Sequence, residues 1–174
     1  MKAIIAVVGS KRSGKTTAVE ALVKELTKRG YKIATAKHIS EEDFTMDTRG
    51  KDTWRHAEAG AKTIIAVAPK EVAIIKKKDT ANYTLKDIVK NCEKETDLLI
   101  LEGFRKLIES SPKIPKIVTV KTLDEAVEAE KRFKPILAFT GPAQSIKTHI
   151  PYIDVLKQPE KLADLIERFF ESFS

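Results

Sequence analysis

Cysteine is nearly absent: Cys92 is the single one in 174 residues. The chain can close no internal disulfide and build no cysteine zinc site. That suits a reducing compartment, and the cytoplasm is the expected location. Long apolar runs are missing too. None approaches the roughly 18 residues that cross a membrane. The apolar stretch 3–8 is too short for a secretion signal and is soon followed by Lys11 and Arg12. Aromatic residues make up only 6%. No repeat, low-complexity tract or linker interrupts the sequence, so 1–174 reads as one domain. The net charge is +7, yet 33% of residues are charged with both signs interspersed. This describes an ion-paired, solvated surface rather than the clustered basic face of a nucleic-acid binder. Part of the excess attracts polyanions such as nucleotides.

What is present centres on Gly9-Ser10-Lys11-Arg12-Ser13-Gly14-Lys15-Thr16, followed by Thr17. It matches G-x-x-x-x-G-K-[ST], the phosphate-binding P-loop. The flanks supply the context the motif needs. Ala3-Ile4-Ile5-Ala6-Val7-Val8 is a short β-branched run that reads as a buried parallel strand. From Thr16 to Arg29, Ala18, Leu22, Val23 and Leu26 recur at helical spacing, and Gly30 stops the helix. Inward-turned backbone N–H groups of such a loop make an anion site. The following helix adds its positive end. Lys15 is expected at the β/γ-phosphates and the Thr16 hydroxyl on Mg2+.

Further strands are expected at 31–37, 63–68, 71–75, 98–101, 117–120 and 135–139, with a short edge strand near 152–155. Helices are expected at 53–59, 84–92, 123–133 and 159–170. Pro69-Lys70 leaves room only for an antiparallel hairpin between its flanking strands, so the sheet is expected to be mixed. Residues 104–115 read as a loop. Alternating strands and helices give an α/β, three-layer fold: a mostly parallel sheet with an antiparallel hairpin.

A P-loop needs a carboxylate near its metal. Glu102 ends the apolar run Leu98-Leu99-Ile100-Leu101 and is the expected partner of Thr16, binding Mg2+ directly or through water. Asp47, on the polar loop 39–50, is a second candidate ligand. Lys15 and Glu102 are the candidate catalytic residues. His38 either contacts substrate or hydrogen-bonds locally. The base is expected at Thr140-Gly141-Pro142, but no Asn/Thr-Lys-x-Asp motif follows a strand, so the residues leave the choice of base open. No water-positioning glutamine or arginine finger is evident, which predicts slow hydrolysis. A small-molecule kinase is the alternative. Arg49 and Arg55 are its candidate lid residues, though no lid-like insertion is apparent.

The blocks Gly9–Thr17, Lys37-His38, Asp43-Phe44-Thr45-Met46-Asp47, Gly50-Lys51-Asp52-Thr53-Trp54-Arg55-His56, Ala59-Gly60-Ala61, Leu101-Glu102-Gly103-Phe104-Arg105 and Pro115-Lys116-Ile117 together resemble the MobB family, adapter proteins of molybdopterin-guanine dinucleotide biosynthesis. The resemblance implies a P-loop NTPase fold, GTP with Mg2+, weak hydrolysis and a homodimer. It also implies assistance to a partner nucleotidyltransferase that joins GMP to molybdopterin, and a contact with molybdopterin itself. By similarity, Ser13 to Thr17 bind phosphate and Glu102 and Asp47 serve the metal. The sequence departs from the family at Lys11 and Arg12, where small residues are common, and at Ser40-Glu41-Glu42, where histidines are common.

Overall fold

Residues 3–143 and 146–172 are described in a computed structural model of the chain. In chain order the elements are β1 (Ala3–Gly9), α1 (Lys15–Lys28), β2 (Ile33–Lys37), α2 (Asp52–Glu58), β3 (Thr63–Ala68), β4 (Glu71–Lys76), α3 (Leu85–Val89), β5 (Leu98–Glu102), α4 (Arg105–Ile108), β6 (Lys116–Thr119), α5 (Leu123–Arg132), β7 (Ile136–Thr140) and α6 (Pro159–Glu171). They fall into two compact units, one of residues 1–38 with 84–174 and one of residues 39–83.

The first unit is built on a five-stranded sheet in the order β2-β5-β1-β6-β7. Every neighbouring pair is parallel. A parallel sheet must be covered on both faces, because its crossovers lay helices there. The sequence meets that demand with strands that are apolar without alternation. Ile5, Ala6, Val7 and Val8 are all fully buried, as are Leu99, Ile100 and Leu101. On one face Ile5, Val7, Ile100, Ile117 and Ala138 join Ala18, Leu22 and Leu26 of α1 and Leu162, Ala163 and Ile166 of α6 in a single core. Each such Leu or Ile contributes about 1.5–3 kcal/mol by burial. Arg29 ties the two helices together at their rim, donating to Glu25 (2.9 Å), Asp164 (2.8 Å) and Glu167 (2.5 Å).

The second unit is the hairpin β3–β4 with α2. The strands pair antiparallel, Ile65 opposite Ile74 and Val67 opposite Val72, and α2 packs on β3. The hairpin makes a two-stranded sheet of its own rather than part of one mixed sheet. A two-residue turn dictates that its flanking strands pair with each other but says nothing about which sheet receives them.

Three other expectations change. Arg105–Ile108 is a short helix where a loop was expected, since four residues are too few to show a period. The segment near Tyr152 reaches the sheet through a single parallel bridge to Phe139 and forms no strand. The third helix ends at Val89 rather than Cys92. No described helix is long and apolar enough to cross a membrane.

Candidate functional site

β1 lies between β5 and β6. From β1 the chain crosses over to β2 on one side, while β6 lies on the other. This makes the carboxyl end of β1 the switch point where α/β sheets bind ligands. The P-loop occupies that point, joining β1 to α1. Two glycines are required there. A Cβ on Gly9 would stand 2.0 Å from Thr119 Oγ1 and 2.5 Å from Ser13 Oγ, so only a bare backbone lets the loop turn against β6. Gly14 is left-handed (φ 90) and caps α1, whose positive end therefore faces the loop.

The loop is held closed from within. Ser13, fully buried, donates from Oγ to the Ser10 carbonyl at 2.8 Å and lies 2.6 Å from Thr119 Oγ1. Lys15 reaches back over the turn, and its Nζ donates to the same Ser10 carbonyl at 2.6 Å. Burial chiefly, and then the nearby Arg105 guanidinium, pull the Lys15 pKa below its ordinary value, with Glu102 opposing. Lys11, Arg12, Thr16 and Thr17 are exposed around the mouth.

Beside the loop, strand register aligns Lys37, Glu102 and Val7 at one level. Glu102 is 8% exposed. Its Oε1 accepts from Thr16 Oγ1 at 2.9 Å and from Lys37 Nζ at 3.1 Å. A hydroxyl and a carboxylate oxygen side by side are hard donors of the kind Mg2+ takes. Among the described residues no group of three or more His, Cys, Asp or Glu side chains gathers to hold a metal by itself. Mg2+ needs none, because it commonly keeps waters and substrate phosphate oxygens around one or two carboxylates. The residues present therefore fit a metal that arrives with a phosphate ligand. Lys37, not among the candidate residues above, stands here as the counter-charge of Glu102. The signal for it was its place at a strand's carboxyl end.

Sequence reasoning quoted Arg105 only within a family block and gave it no role; it follows Glu102-Gly103-Phe104 and donates from Nη2 to the Gly9 carbonyl. His38 has local partners. Its N–H donates to the Glu102 carbonyl at 3.0 Å, and its ring meets Phe104 edge-on at 5.4 Å. Thr140-Gly141-Pro142 abuts the P-loop: a Cβ on Gly141 would come within 2.9 Å of the Ser13 carbonyl. A groove of about 600 Å³ flanks the loop on the α5 side, lined by Gly9, Ser10, Arg105, Thr119, Glu125 and Arg132 among others. Asp47 belongs to the second unit. Its Oδ1 accepts from Thr53 Oγ1 at 2.8 Å and from Thr48 N–H at 2.9 Å. Its Oδ2 meets no donor among the described residues.

A family model described as molybdopterin guanine dinucleotide synthesis protein B matches residues 4–140. The chain belongs to the MobB family. A putative molybdopterin-guanine dinucleotide biosynthesis adapter protein of Methanocaldococcus jannaschii is 39% identical over 124 residues, 70% of this chain. That match takes in 48% of the relative, so the chain spans about half its length. A molybdopterin-guanine dinucleotide biosynthesis adapter protein of Haemophilus influenzae is 27% identical over 179 residues, covering 98% of this chain and 90% of that one. A crystal structure of molybdopterin-guanine biosynthesis protein B superposes with a TM-score of 0.73 at 24% identity, over 97% of this chain and 99% of the other. At that identity the likeness to a solved MobB structure establishes the fold.

Proposed function

We propose that the chain is a GTP-binding adapter with weak GTPase activity. In this reading it works in the cytoplasm and assists a nucleotidyltransferase that attaches GMP to molybdopterin. The observation that carries the reading is the closed P-loop with a Thr16–Glu102 pair at 2.9 Å beside it. Gly9 to Thr17 bind the phosphates, Lys15 and Glu102 carry the hydrolytic step, and Thr16 and Glu102 serve Mg2+. Residues 1–174 act as one nucleotide-binding domain. The adapter role draws on family membership and on the names of the relatives, and molybdopterin is a further proposed contact.

The chain works as a homodimer in this reading. The support is the outer face of the hairpin, where Ile65, Val67, Val72 and Ile74 are 57% to 77% exposed. Opposed in register, these four side chains form an apolar patch that a second copy would cover. A small-molecule kinase is the second reading, and the groove beside Ser10 is where it would hold an acceptor.

Calorimetry with GTP, ATP and GDP, with and without Mg2+, tests the proposal. GTP is expected to bind more tightly than ATP, and Mg2+ to strengthen GTP binding. Turnover is expected far below the roughly 1–100 s⁻¹ of kinases. Failure to bind any nucleotide overturns the reading, and phosphorylation of a metabolite decides for the kinase.

A further inference from the structure

Arg105 holds no role in the scheme above, yet its position is unusually constrained. The chain leaves β5 through Gly103 (φ 87) and Phe104 (φ 52), two successive left-handed residues. A phenylalanine in that conformation is strained. It persists because its neighbours fix it: Gly103 N–H donates to the Val7 carbonyl at 2.9 Å, and the Phe104 ring packs on His38. This reversal starts α4 beside the P-loop and lays the Arg105 side chain on the loop's first carbonyl.

A guanidinium usually pairs with a carboxylate. Two of the nearby ones are taken. Glu109, on the same short helix turn, forms a two-pronged pair with Arg132 at 2.6 and 2.8 Å. Glu102 holds Thr16 and Lys37. Among the described residues none of the ion pairs includes Arg105. Instead two cations stand on adjacent main-chain carbonyls, Lys15 on that of Ser10 at 2.6 Å and Arg105 on that of Gly9. Two like charges so placed, at the concave face of an anion-binding turn, are stabilised when an anion bridges them.

We propose that Arg105 is a catalytic residue that reads the terminal phosphate of the bound nucleotide: its guanidinium leaves the Gly9 carbonyl and donates to a non-bridging γ-oxygen. This rests on the nucleotide-binding reading of the same loop. In hydrolysis a water oxygen bonds to the γ-phosphorus. The bond from that phosphorus to the β–γ bridging oxygen breaks, its electron pair leaves with the diphosphate, and the water proton ends on the released phosphate. Charge on the γ-oxygens is what an arginine supplied from the same chain stabilises. The groove places Arg105 open to ligand on one side while Gly9 holds it on the other.

The test compares the full-length wild type with R105A and R105K, using GDP, GTP and GDP with aluminium fluoride, all with Mg2+. GDP affinity is expected to stay within about twofold in R105A, which also reports that the loop remains folded. The gain in affinity from adding fluoride to GDP is expected to fall at least tenfold. Turnover is expected to fall about 100- to 1000-fold, the usual loss for one oriented donor. R105K is expected to recover only part of this, since an ammonium lacks the planar fork. A fluoride gain and turnover unchanged in R105A, with wild-type GDP binding intact, overturn the role of Arg105 alone. A wild type that binds no nucleotide overturns the underlying reading as well.

Discussion

A methyl group at position 9 would meet Thr119 Oγ1 at 2.0 Å and the Thr119 carbonyl at 2.4 Å, and the carbonyl has no freedom to move aside. Gly9→Ala is therefore expected to lift the loop from β6, cutting nucleotide affinity by more than about tenfold and costing on the order of 1–3 kcal/mol of stability. Calorimetry and urea unfolding measure the two effects. Lys15→Ala is expected to weaken binding severely while unfolding is almost unchanged, because the side chain is only half-buried. Glu102→Ala is expected to remove the dependence of binding on Mg2+. An unaltered Mg2+ titration would reject Glu102 as the metal's carboxylate. Gly9, Lys15, Thr16 and Glu102 were legible in the sequence because each belongs to a local pattern, a motif or a strand end. Lys37 and Arg105 stood in the quoted blocks, but their contacts were not legible. Lys37 reaches Glu102 only through the register of β2 on β5, and Arg105 reaches Gly9 only through a left-handed turn at a phenylalanine.

Elements differ in how openly they announce themselves. The helices α1 and α6 were visible as apolar stripes, and the hairpin was visible in its two-residue turn. The stripe, however, does not name the surface it covers. The hairpin's outer face is the clearest case, because Val72 and Ile74 alternate with Ala73 and Ile75 as in any half-buried strand, yet lie 61% and 57% exposed. Val72→Glu combined with Ile74→Glu is expected to convert a dimer into monomers in sedimentation velocity while leaving GDP binding intact. A dimer that persists would show that copies meet elsewhere. Residues 105–108 form a helix the sequence did not disclose, because a single turn has no periodicity to detect.

At the scale of the whole molecule, the sheet's covered faces enclose a lysine. Lys116 is fully buried, and its Nζ donates to the carbonyls of Ser111 at 2.5 Å and Lys134 at 2.7 Å. Burial pushes its pKa below the ordinary lysine value of 10.5. In the window between that lowered value and 10.5 the unfolded chain binds more protons than the folded one, so stability rises with pH there. Lys15, also lowered, acts in the same direction. Urea unfolding from pH 7 to 10.5 is expected to show a shallower alkaline rise in Lys116→Met than in the wild type. At neutral pH the variant loses two donors to buried carbonyls, each worth about 1–3 kcal/mol at most. A stability difference between the two that does not change with pH would mean that Lys116 is not perturbed.

By itself the sequence determined the class of fold and marked the glycine-bounded loop and the strand-end carboxylate as the candidate site. These rest on short-range rules: hydrophobic period, turn chemistry, and a glycine where no side chain fits. Only the tertiary structure decided that the hairpin forms a separate sheet, that Lys37 balances Glu102, and that Arg105 stands on Gly9. Those outcomes depend on which strands lie side by side and at what register. Such pairings are set by the burial of many distant residues together, and no local stretch of the chain encodes them.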